Sequence, residues 1–478
     1  MDLERERGIT IKAQSVFLEY TAKDGHSYGL NFIDTPGHVD FAYEVSRSLS
    51  ACEGALLVVD ASQGVEAQTL ANCYTAVDLG LEVIPVLNKI DLPSADLERA
   101  REEIEDLIGL DCTNAISISA KTGVGVEEVL EAIVMLLPPP AGDPKESLKA
   151  LIVDSWFDNY LGTVSLVRVI DGVLRRRMKI RMFSTGQDHQ IEDIGVFTPK
   201  RVSVPCLAAG NVGYVIAGIK DIKAARVGDT IMDPRNHSQI PFAGFKEVKP
   251  TVFAGLYPVN NSDYEMFRVA LEKLSLNDAS LRYEPEVSPA LGFGFRCGFL
   301  GLLHMQIIQE RLRREYDIDL ISPYPSVVYK VTMTDGTVRE VDNPLELPNV
   351  TEIDHIDEPT IVARIHAPNE SIGDLLALVT EKRGICNHTE TIDETRVMLT
   401  CSLPLNEILV DFNDRLKSIT HGYGSMDYDV ADYQTSDLVR MEILVNSEPV
   451  DAFSTIVHRG KAENRGRVLC EKLKDILP

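Results

Sequence analysis

The sequence has 478 residues, 44% of them hydrophobic and 25% charged, with a formal net charge of −26. These proportions are typical of globular proteins and exclude disordered and fibrous classes. The excess of acidic residues is unfavourable for phosphate contacts, so any binding of nucleic acid must use local basic patches.

In the first third of the chain, short apolar runs typical of buried strands alternate with apolar residues at helical spacing. This alternation predicts a parallel sheet covered by helices on both faces. The predicted elements are, in chain order, a hairpin over 16–33, a helix beginning near Phe41, a strand over 55–59, a helix ending near Leu79, a strand over 83–87, a helix over 97–108, a strand over 115–118 and a helix over 126–137.

The rest of the chain changes character at the proline-rich linker 138–144, which forbids helix continuation. Short β-branched runs between Gly and Asp turns then predict a small β-barrel, and two α+β units follow it. One of these units contains a helix whose Met305, Ile308, Leu312 and Tyr316 share one face. The sequence therefore predicts a multidomain α/β and β fold, divided as 1–141, 146–235, 246–330, 357–435 and 436–478.

The string Asp34-Thr35-Pro36-Gly37-His38 directly follows a predicted strand, at the sheet edge where open α/β sheets bind ligands. In P-loop GTPases an acid here helps to hold Mg²⁺, through water, and a glycine offers its N–H to the γ-phosphate. His38 stands where another GTPase has a glutamine, so we predict that it positions the attacking water. The alternatives are a surface turn and an ordinary surface histidine.

Two further strings follow the next strands. In Asn88-Lys89-Ile90-Asp91, the carboxylate can accept the N–H groups on one edge of guanine, Asn88 can tie loops together, and Lys89 can cover the ring. Ser119-Ala120-Lys121 can present a backbone N–H to the guanine carbonyl. Each string is weak alone, and their order after successive strands makes them specific.

Thr10 lies in Arg7-Gly-Ile-Thr-Ile11, just before the predicted hairpin. A threonine hydroxyl here can ligate Mg²⁺ in the triphosphate state and release it when phosphate leaves. The alternative is a threonine that simply begins a strand.

These strings, in this order, resemble the translational GTPases. Within that family four stretches are similar to the LepA type, also called elongation factor four: Met1–Gln14, Asp154–Tyr160, Lys273–Ala279 and Leu291–His304. The resemblance covers essentially the whole chain. It implies a P-loop-type G domain, a β-barrel, two ferredoxin-like domains similar to those of elongation factor G, and the start of a LepA-specific C-terminal domain.

The resemblance also implies GTP hydrolysis, with GTP or GDP and Mg²⁺ as cofactors. The partners would be the ribosome, through its rRNA and proteins, and tRNA, and the outcome would be reverse translocation of tRNAs on wrongly advanced ribosomes. The family places such a protein in the bacterial cytoplasm, as a monomer, with peripheral association at the cytoplasmic face of the inner membrane.

The sequence departs from the family in two respects, because no G-x-x-x-x-G-K-[S/T] occurs in the 478 residues and the basic end of the family's C-terminal domain is missing after Pro478. The phosphate cradle and its lysine belong to that loop. We therefore expect a fragment without the family's first strand, its P-loop and the end of its C-terminal domain, and a natural nucleotide-free variant is the alternative. These residues alone should bind GTP weakly, and the alternative function is a ribosome-binding or ribosome-assembly factor without GTP turnover.

No apolar run approaches the ~18 residues that a membrane-spanning helix needs, and the charged N-terminus is unlike a signal peptide. Eight scattered cysteines without a C-x₂₋₄-C pair argue against zinc and disulfide frameworks, so we expect reduced thiols. The basic stretches Arg175–Arg181 and His458–Arg467 are the best local candidates for RNA contact, and solvated faces are the alternative.

Overall fold

A computed structural model describes residues 2–7, 9–158, 160–219, 224–236, 240–245, 248–278, 280–391, 395–409 and 411–476. Met1, Gly8, Asn159 and Ala279, which belong to the stretches that carry the resemblance, lie outside them. The chain divides into two compact units, Met1–Val248 and Lys249–Pro478.

The first unit begins with an α/β region built as the alternating pattern predicts. Leu57, Leu87 and Ile104 fill a core between the sheet and its helices, because the strands are continuous apolar runs and the helices are amphipathic. The elements are α1 (Asp2–Arg7), β1 (Gln14–Thr21), β2 (Ser27–Asp34), α2 (Ala42–Leu49), β3 (Gly54–Asp60), α3 (Ala67–Asp78), β4 (Glu82–Asn88), α4 (Leu97–Ile108), β5 (Ile116–Ser117) and α5 (Val126–Leu136).

Local signals set the ends of these elements. Helix α4 begins after Asp96, whose side chain caps it by accepting the Arg99 N–H, and ends at Gly109 with φ of 78°. The predicted bounds 97–108 are therefore confirmed. Strands β3, β4 and β5 pair in parallel, whereas β1 and β2 form a separate antiparallel ladder in the described residues.

A β-rich region completes the first unit. Its strands form an eight-stranded antiparallel sheet in the order β10-β9-β15-β6-β7-β14-β11-β12, with β8 and β13 as a separate pair. Ile152, Val167 and Ile231 are fully buried in its core. The strands are β6 (Lys149–Asp158), β7 (Gly162–Asp171), β8 (Val173–Arg175), β9 (Lys179–Met182), β10 (Asp188–Gln190), β11 (Asp193–Phe197), β12 (Arg201–Ser203), β13 (Cys206–Ala208), β14 (Val212–Ile216) and β15 (Thr230–Met232).

The second unit begins with a βαββαβ element of ferredoxin-like order, β17-β18-β16-β19. Met305, Ile308 and Leu312 of α7 are buried against this sheet and Tyr316 packs beside them, which confirms the predicted shared face. The elements are β16 (Val252–Pro258), α6 (Tyr264–Asn277), β17 (Arg282–Ser288), β18 (Gly292–Phe299), α7 (Leu302–Tyr316) and β19 (Leu320–Ile321).

A second ferredoxin-like element follows, in which the long strand β22 pairs with β24 on one side and β25 on the other. A hairpin of β20 and β21 extends the sheet at the start of β22. The elements are β20 (Tyr329–Met333), β21 (Val338–Val341), β22 (Ile353–Pro368), α8 (Ile372–Glu381), β23 (Ile385–Thr391), β24 (Arg396–Pro404), α9 (Leu405–Ile408), α10 (Phe412–Ile419) and β25 (Ser425–Ser436).

The last segment consists of two short hairpin ladders and a helix. Strand β26 (Leu438–Met441) pairs with β29 (Thr455–His458), and β27 (Leu444–Val445) pairs with β28 (Glu448–Pro449). Helix α11 (Arg459–Ile476) follows. Across the described ranges, no helix combines the length and hydrophobicity that crossing a membrane requires.

The sheet of the second ferredoxin-like element buries two titratable side chains, and burial lowers the pKa of one and raises the pKa of the other. Burial, helped by Arg396 and Arg364, lowers the pKa of His366 from 6.5 to about 4. Burial, helped by Asp429, raises the pKa of Asp427 from 3.8 to about 6. Within the described part of the chain, neither ring nitrogen of His366 has a hydrogen-bond partner.

These two groups should make opposite contributions to stability between pH 4 and pH 6. The His366 contribution is present above pH 6.5 and lost as the pH falls to 4, because only the unfolded chain is then protonated. The Asp427 contribution is present below pH 3.8 and lost as the pH rises to 6. Each is worth about 3 kcal/mol, from roughly 1.4 kcal/mol per pKa unit.

Neutral substitutions should separate the two contributions. In Asp427→Asn, stability relative to the unmodified protein should fall by about 3 kcal/mol as the pH drops from 6.5 to 4. In His366→Gln it should rise by a similar amount. Hydrogen exchange of the β22 amides, compared between variants at each pH, measures both slopes, and parallel pH profiles for the two variants would contradict the assignment.

Candidate functional site

The turns after β4 and β5 are joined by side-chain hydrogen bonds. Asn88 Oδ1 accepts the backbone N–H of Lys89 at 2.8 Å and that of Ala120 at 3.0 Å. The Asp91 carboxylate accepts the Ser119 hydroxyl at 2.8 Å. Since parallel strands end at one sheet edge, the two turns meet there and form a single polar surface.

The other residues of this group have distinct surroundings. The N–H of Ile90 donates to the Ile118 carbonyl at 3.3 Å, a backbone link that holds the first turn against the second. Ser119 is almost fully buried, whereas Ala120, Lys121 and Asp91 are exposed. The group therefore presents an exposed carboxylate on a rigid, hydrogen-bonded base.

Lys89 makes an ion pair in this structure. Its Nζ lies 2.7 Å from Asp60 Oδ2, at the end of β3. Burial raises the pKa of Asp60, but hydrogen bonds from Lys89 and Ser62 outweigh it and bring the pKa below its usual value. The charge of Lys89 is thus held by Asp60, and only the stem of the lysine is available to cover a ring.

A second group forms where β2 ends. Asp34 is the last residue of β2, and its Oδ2 accepts the Thr10 hydroxyl at 3.2 Å. The structure therefore places the two predicted Mg²⁺ ligands side by side. Thr35 to Gly37 continue without helix or strand, and Pro36 is buried.

Gly37 has no packing reason to be glycine. A Cβ added there would meet only the Gln68 side chain, at 4.0 Å. Its carbonyl accepts a hydrogen bond from Asn72 Nδ2 at 3.4 Å, so α3 lies beside this turn. The open space above Gly37 suits the close approach of a ligand to the backbone.

His38 caps the turn that leads into α2. Its Nδ1 accepts the Asp40 N–H at 3.1 Å, and its ring contacts Phe41 edge-on. Because Nδ1 accepts a hydrogen bond, the neutral ring carries its proton on Nε2. The His38 side chain is about 29% exposed, so it remains accessible to solvent while it caps this turn.

The Thr10 segment is fastened by two acids that sequence reasoning did not single out. Glu4 Oε1 accepts the N–H of Ile11 at 3.0 Å, and Glu44 Oε2 accepts that of Ala13 at 3.0 Å. These bonds fix the strand entry next to Thr10. Gly8, which belongs to the predicted Thr10 motif, lies outside the described residues.

Lys12 connects this segment to the β-rich region. Its Nζ lies 3.0 Å from Asp154 Oδ2 and 5.7 Å from the centre of the Trp156 ring. Arg47 of α2 lies 3.9 Å from the same carboxylate and 3.4 Å from Glu44. Nearby, the buried Arg168 pairs with Glu53.

Burial raises the pKa of Glu44, and Arg47 and Lys12 oppose that rise. Lys12, Asp154 and Trp156 lie inside stretches that carry the family resemblance, and that was the only sequence signal for them.

The described contacts thus bring the predicted site residues into two groups. One contains Asn88, Lys89, Ile90, Asp91, Ser119, Ala120 and Lys121, and the other contains Thr10, Asp34, Thr35, Pro36, Gly37 and His38. Asp60, the last residue of β3, contacts the first group, and Asn72 of α3, the next helix along the chain, contacts the second.

The two basic stretches differ in how many of their side chains form ion pairs within the chain. Arg176 pairs with Asp193, and Arg181 pairs with Asp188. The α11 stretch is engaged more completely: Arg459 pairs with Asp437, Lys461 with Glu407, Arg467 with Glu463, and Arg465 lies 4.4 Å from the Tyr324 ring. Exposed charge for RNA is thus more available in Arg175–Arg181, at Arg175, Arg177 and Lys179, than in α11.

Comparisons with known proteins match three parts of the chain. The family model for the elongation factor Tu GTP binding domain matches residues 1–139. That for elongation factor Tu domain 2 matches residues 162–232, and that for the elongation factor G C-terminus matches residues 355–444.

Among solved structures, the crystal structure of a protein from Thermus thermophilus superposes with a TM-score of 0.62. The match covers 91% of this chain and 90% of that chain at 17% sequence identity, so it shows a shared fold and nothing further. With the domain matches, it confirms the predicted multidomain α/β and β fold class.

Proposed function

We propose that this chain, which belongs to the translational GTPase family, binds guanine nucleotide at the two residue groups described above and hydrolyses GTP on the ribosome. One observation carries the proposal: Asn88 joins its own turn to Ala120 while Ser119 holds Asp91. These bonds hold an exposed carboxylate at the sheet edge, where open α/β sheets bind ligands.

Guanine recognition follows from the orientation of hydrogen-bond donors and acceptors. Guanine offers two N–H donors along one edge, and a carboxylate offers only acceptors, so Asp91 matches guanine and rejects adenine. Asp91 keeps acceptor capacity beyond its bond to Ser119, because a carboxylate can accept about four hydrogen bonds. The stem of Lys89 and the turn at Ala120 supply the apolar and backbone contacts.

The second group suits a triphosphate and Mg²⁺. Thr10 and Asp34 supply hydroxyl and carboxylate oxygens, the ligand types that Mg²⁺ prefers, and Asp34 would act through water. The ion, when bound, neutralises charge on the phosphates. The open space beside Gly37 lets a phosphate oxygen approach its backbone, and His38 can orient a water once its ring leaves the Asp40 cap.

We also propose a specific task for this GTPase on the ribosome. The stretches similar to the LepA type favour reverse translocation of tRNAs on wrongly advanced ribosomes, with tRNA, rRNA and ribosomal proteins as partners. Of the basic stretches, Arg175–Arg181 has the more exposed charge for rRNA contact. We also propose that the protein is a monomer in the bacterial cytoplasm and that it associates peripherally with the inner membrane.

Ribosome-dependent turnover tests this function directly. With the complete gene product, we expect ribosomes to raise GTP turnover on the order of 10³-fold, as partner-supplied activation does in other GTPases. On ribosomes that have just translocated, the toeprint of the messenger RNA should move back by one codon. The control is the same protein with a non-hydrolysable GTP analogue.

The outcomes separate the two candidate functions. Stimulated turnover without a toeprint shift would retain the GTPase and overturn reverse translocation. Ribosome binding with no turnover would overturn the GTPase proposal and favour a ribosome-binding or ribosome-assembly factor.

A further inference from the structure

Two cysteines face each other across the edge of the second ferredoxin-like sheet. Strand β23 is an edge strand, and its Cys386 lies directly opposite Cys401 of β24 in the antiparallel register. Directly opposed residues in such a ladder have Cβ atoms roughly 4.5–5.5 Å apart. That separation lies just beyond the usual Cβ spacing of a disulfide, roughly 3.5–4.5 Å.

The two thiols have unequal access to solvent. Cys386 is half-buried on a strand that is otherwise mostly exposed, whereas Cys401 is fully buried. The Cys386 Sγ lies 3.4 Å from the His388 carbonyl and 3.6 Å from the Thr389 hydroxyl. Burial, and then the neighbouring Cys386 thiol, raises the pKa of Cys401 to about 12. The register places the two cysteines directly opposite each other, and a reagent would reach Cys386 first because it is the more exposed.

The ladder can also adjust at this point. The register shifts between Cys386 and His388, so Asn387 is an extra residue in β23. Such a bulge lets an edge strand shift locally without breaking the rest of its pairing. The Asn387 side chain donates a hydrogen bond from its Nδ2 to the Ser402 hydroxyl at 2.6 Å.

We propose that Cys386 and Cys401 are a dithiol that small-molecule disulfides such as oxidised glutathione convert reversibly into a cross-strand disulfide. The Cys386 thiolate attacks one sulfur of oxidised glutathione, the S–S bond breaks, and one glutathione leaves as its thiol. Cys401 then loses its proton and attacks the Cys386 sulfur, which releases the second glutathione. Two protein thiols are oxidised and one glutathione disulfide is reduced to two thiols.

Cys470 gives an internal comparison. It is exposed on α11, and among the residue pairings that the structure describes no cysteine stands opposite it. The same reagent should therefore leave Cys470 as a mixed disulfide with glutathione. Cys206, which is half-buried on β13, serves as the site of a matched control substitution.

Peptide mapping of the full chain tests the proposal. After treatment with oxidised glutathione and blocking with N-ethylmaleimide, trypsin cleaves at Arg383, Arg396 and Arg415. We expect residues 384–396 and 397–415 to appear as one linked species, lighter by two hydrogens than the sum of the reduced peptides. Dithiothreitol should separate them.

The variants distinguish the internal bond from simple surface modification. In Cys401→Ser, the linked species should disappear and glutathione should stay on Cys386, because no second thiol resolves it. Cys206→Ser should leave the link intact. If Cys470 becomes glutathionylated while Cys386 in the unmodified chain carries only glutathione or maleimide, the proposal is overturned.

Discussion

Replacing His38 with alanine should lower ribosome-stimulated GTP turnover about a thousandfold and leave nucleotide affinity almost unchanged. Positioned side chains that orient or deprotonate an attacking water typically contribute roughly 10²–10⁴-fold. His38 follows Gly37, above which the backbone is open, so its ring is close to where a γ-phosphate would lie. The contacts described for its imidazole are with Asp40 and Phe41 and not with the group around Asp91, so binding should survive.

The ring must change its bonding to act. Nδ1 accepts the Asp40 N–H in this structure, which leaves Nε2 as the protonated atom. A second effect of the alanine variant is therefore the loss of a cap, worth about 1 kcal/mol. His38→Asn controls for that loss, because asparagine is a good cap but does not extend as far as imidazole.

Single-turnover kinetics of the complete gene product on ribosomes measure both variants. Both should lose stimulated turnover, and His26→Ala, in the exposed turn of the β1–β2 hairpin, should retain it. Full activity in His38→Asn with loss only in His38→Ala would show that the histidine acts as a helix cap and not on water.

Much of the fold and part of the site could be predicted because the signals are local. Residues 55–59 form a continuous apolar run, and residues 97–108 combine apolar residues at helical spacing with a capping residue before the helix and a glycine after it. The observed strand and helix agree with these predictions within one residue at each end. The turn residues Asn88 and Ser119 could be placed at one edge because each directly follows a strand of a parallel sheet.

The contacts that fasten the Thr10 segment could not be predicted in the same way. Lys12 and Asp154 are far apart in sequence, and each looks like an ordinary surface charge until the fold brings them to 3.0 Å. Periodicity reports which face of an element is buried and says nothing about which charge meets which across two regions. The same limit applies to α11, where Lys461 meets Glu407.

Replacing Asp91 with asparagine should change which nucleotide base the protein prefers. An asparagine at position 91 presents an amide N–H where the carboxylate presented an acceptor, so it fits a carbonyl oxygen where guanine has its amino group. Xanthine has that oxygen. Sites built to hydrogen-bond a particular group discriminate strongly, up to roughly 10⁴–10⁵-fold, because a mismatched group that the bound ligand covers is left unpaired. We expect Asp91→Asn to change the preference for guanosine over xanthosine triphosphate by about a thousandfold.

Because Ser119 in the turn after β5 holds the side chain at position 91 in the turn after β4, the Asp91→Asn substitution tests both turns together. The serine hydroxyl donates to Asp91 Oδ1 at 2.8 Å and can equally donate to an asparagine carbonyl, so the substituted side chain should keep its position. Asp106→Asn, on the exposed face of α4, removes the same charge away from the site and should leave the preference unchanged.

The ratio of dissociation constants for guanosine and xanthosine triphosphate, measured on the complete gene product and on Asp91→Asn, is the most direct test that these turns hold a guanine base. We expect the unmodified protein to favour the guanosine nucleotide and the variant to favour the xanthosine nucleotide. A variant that still prefers guanosine triphosphate by the original margin would contradict the account.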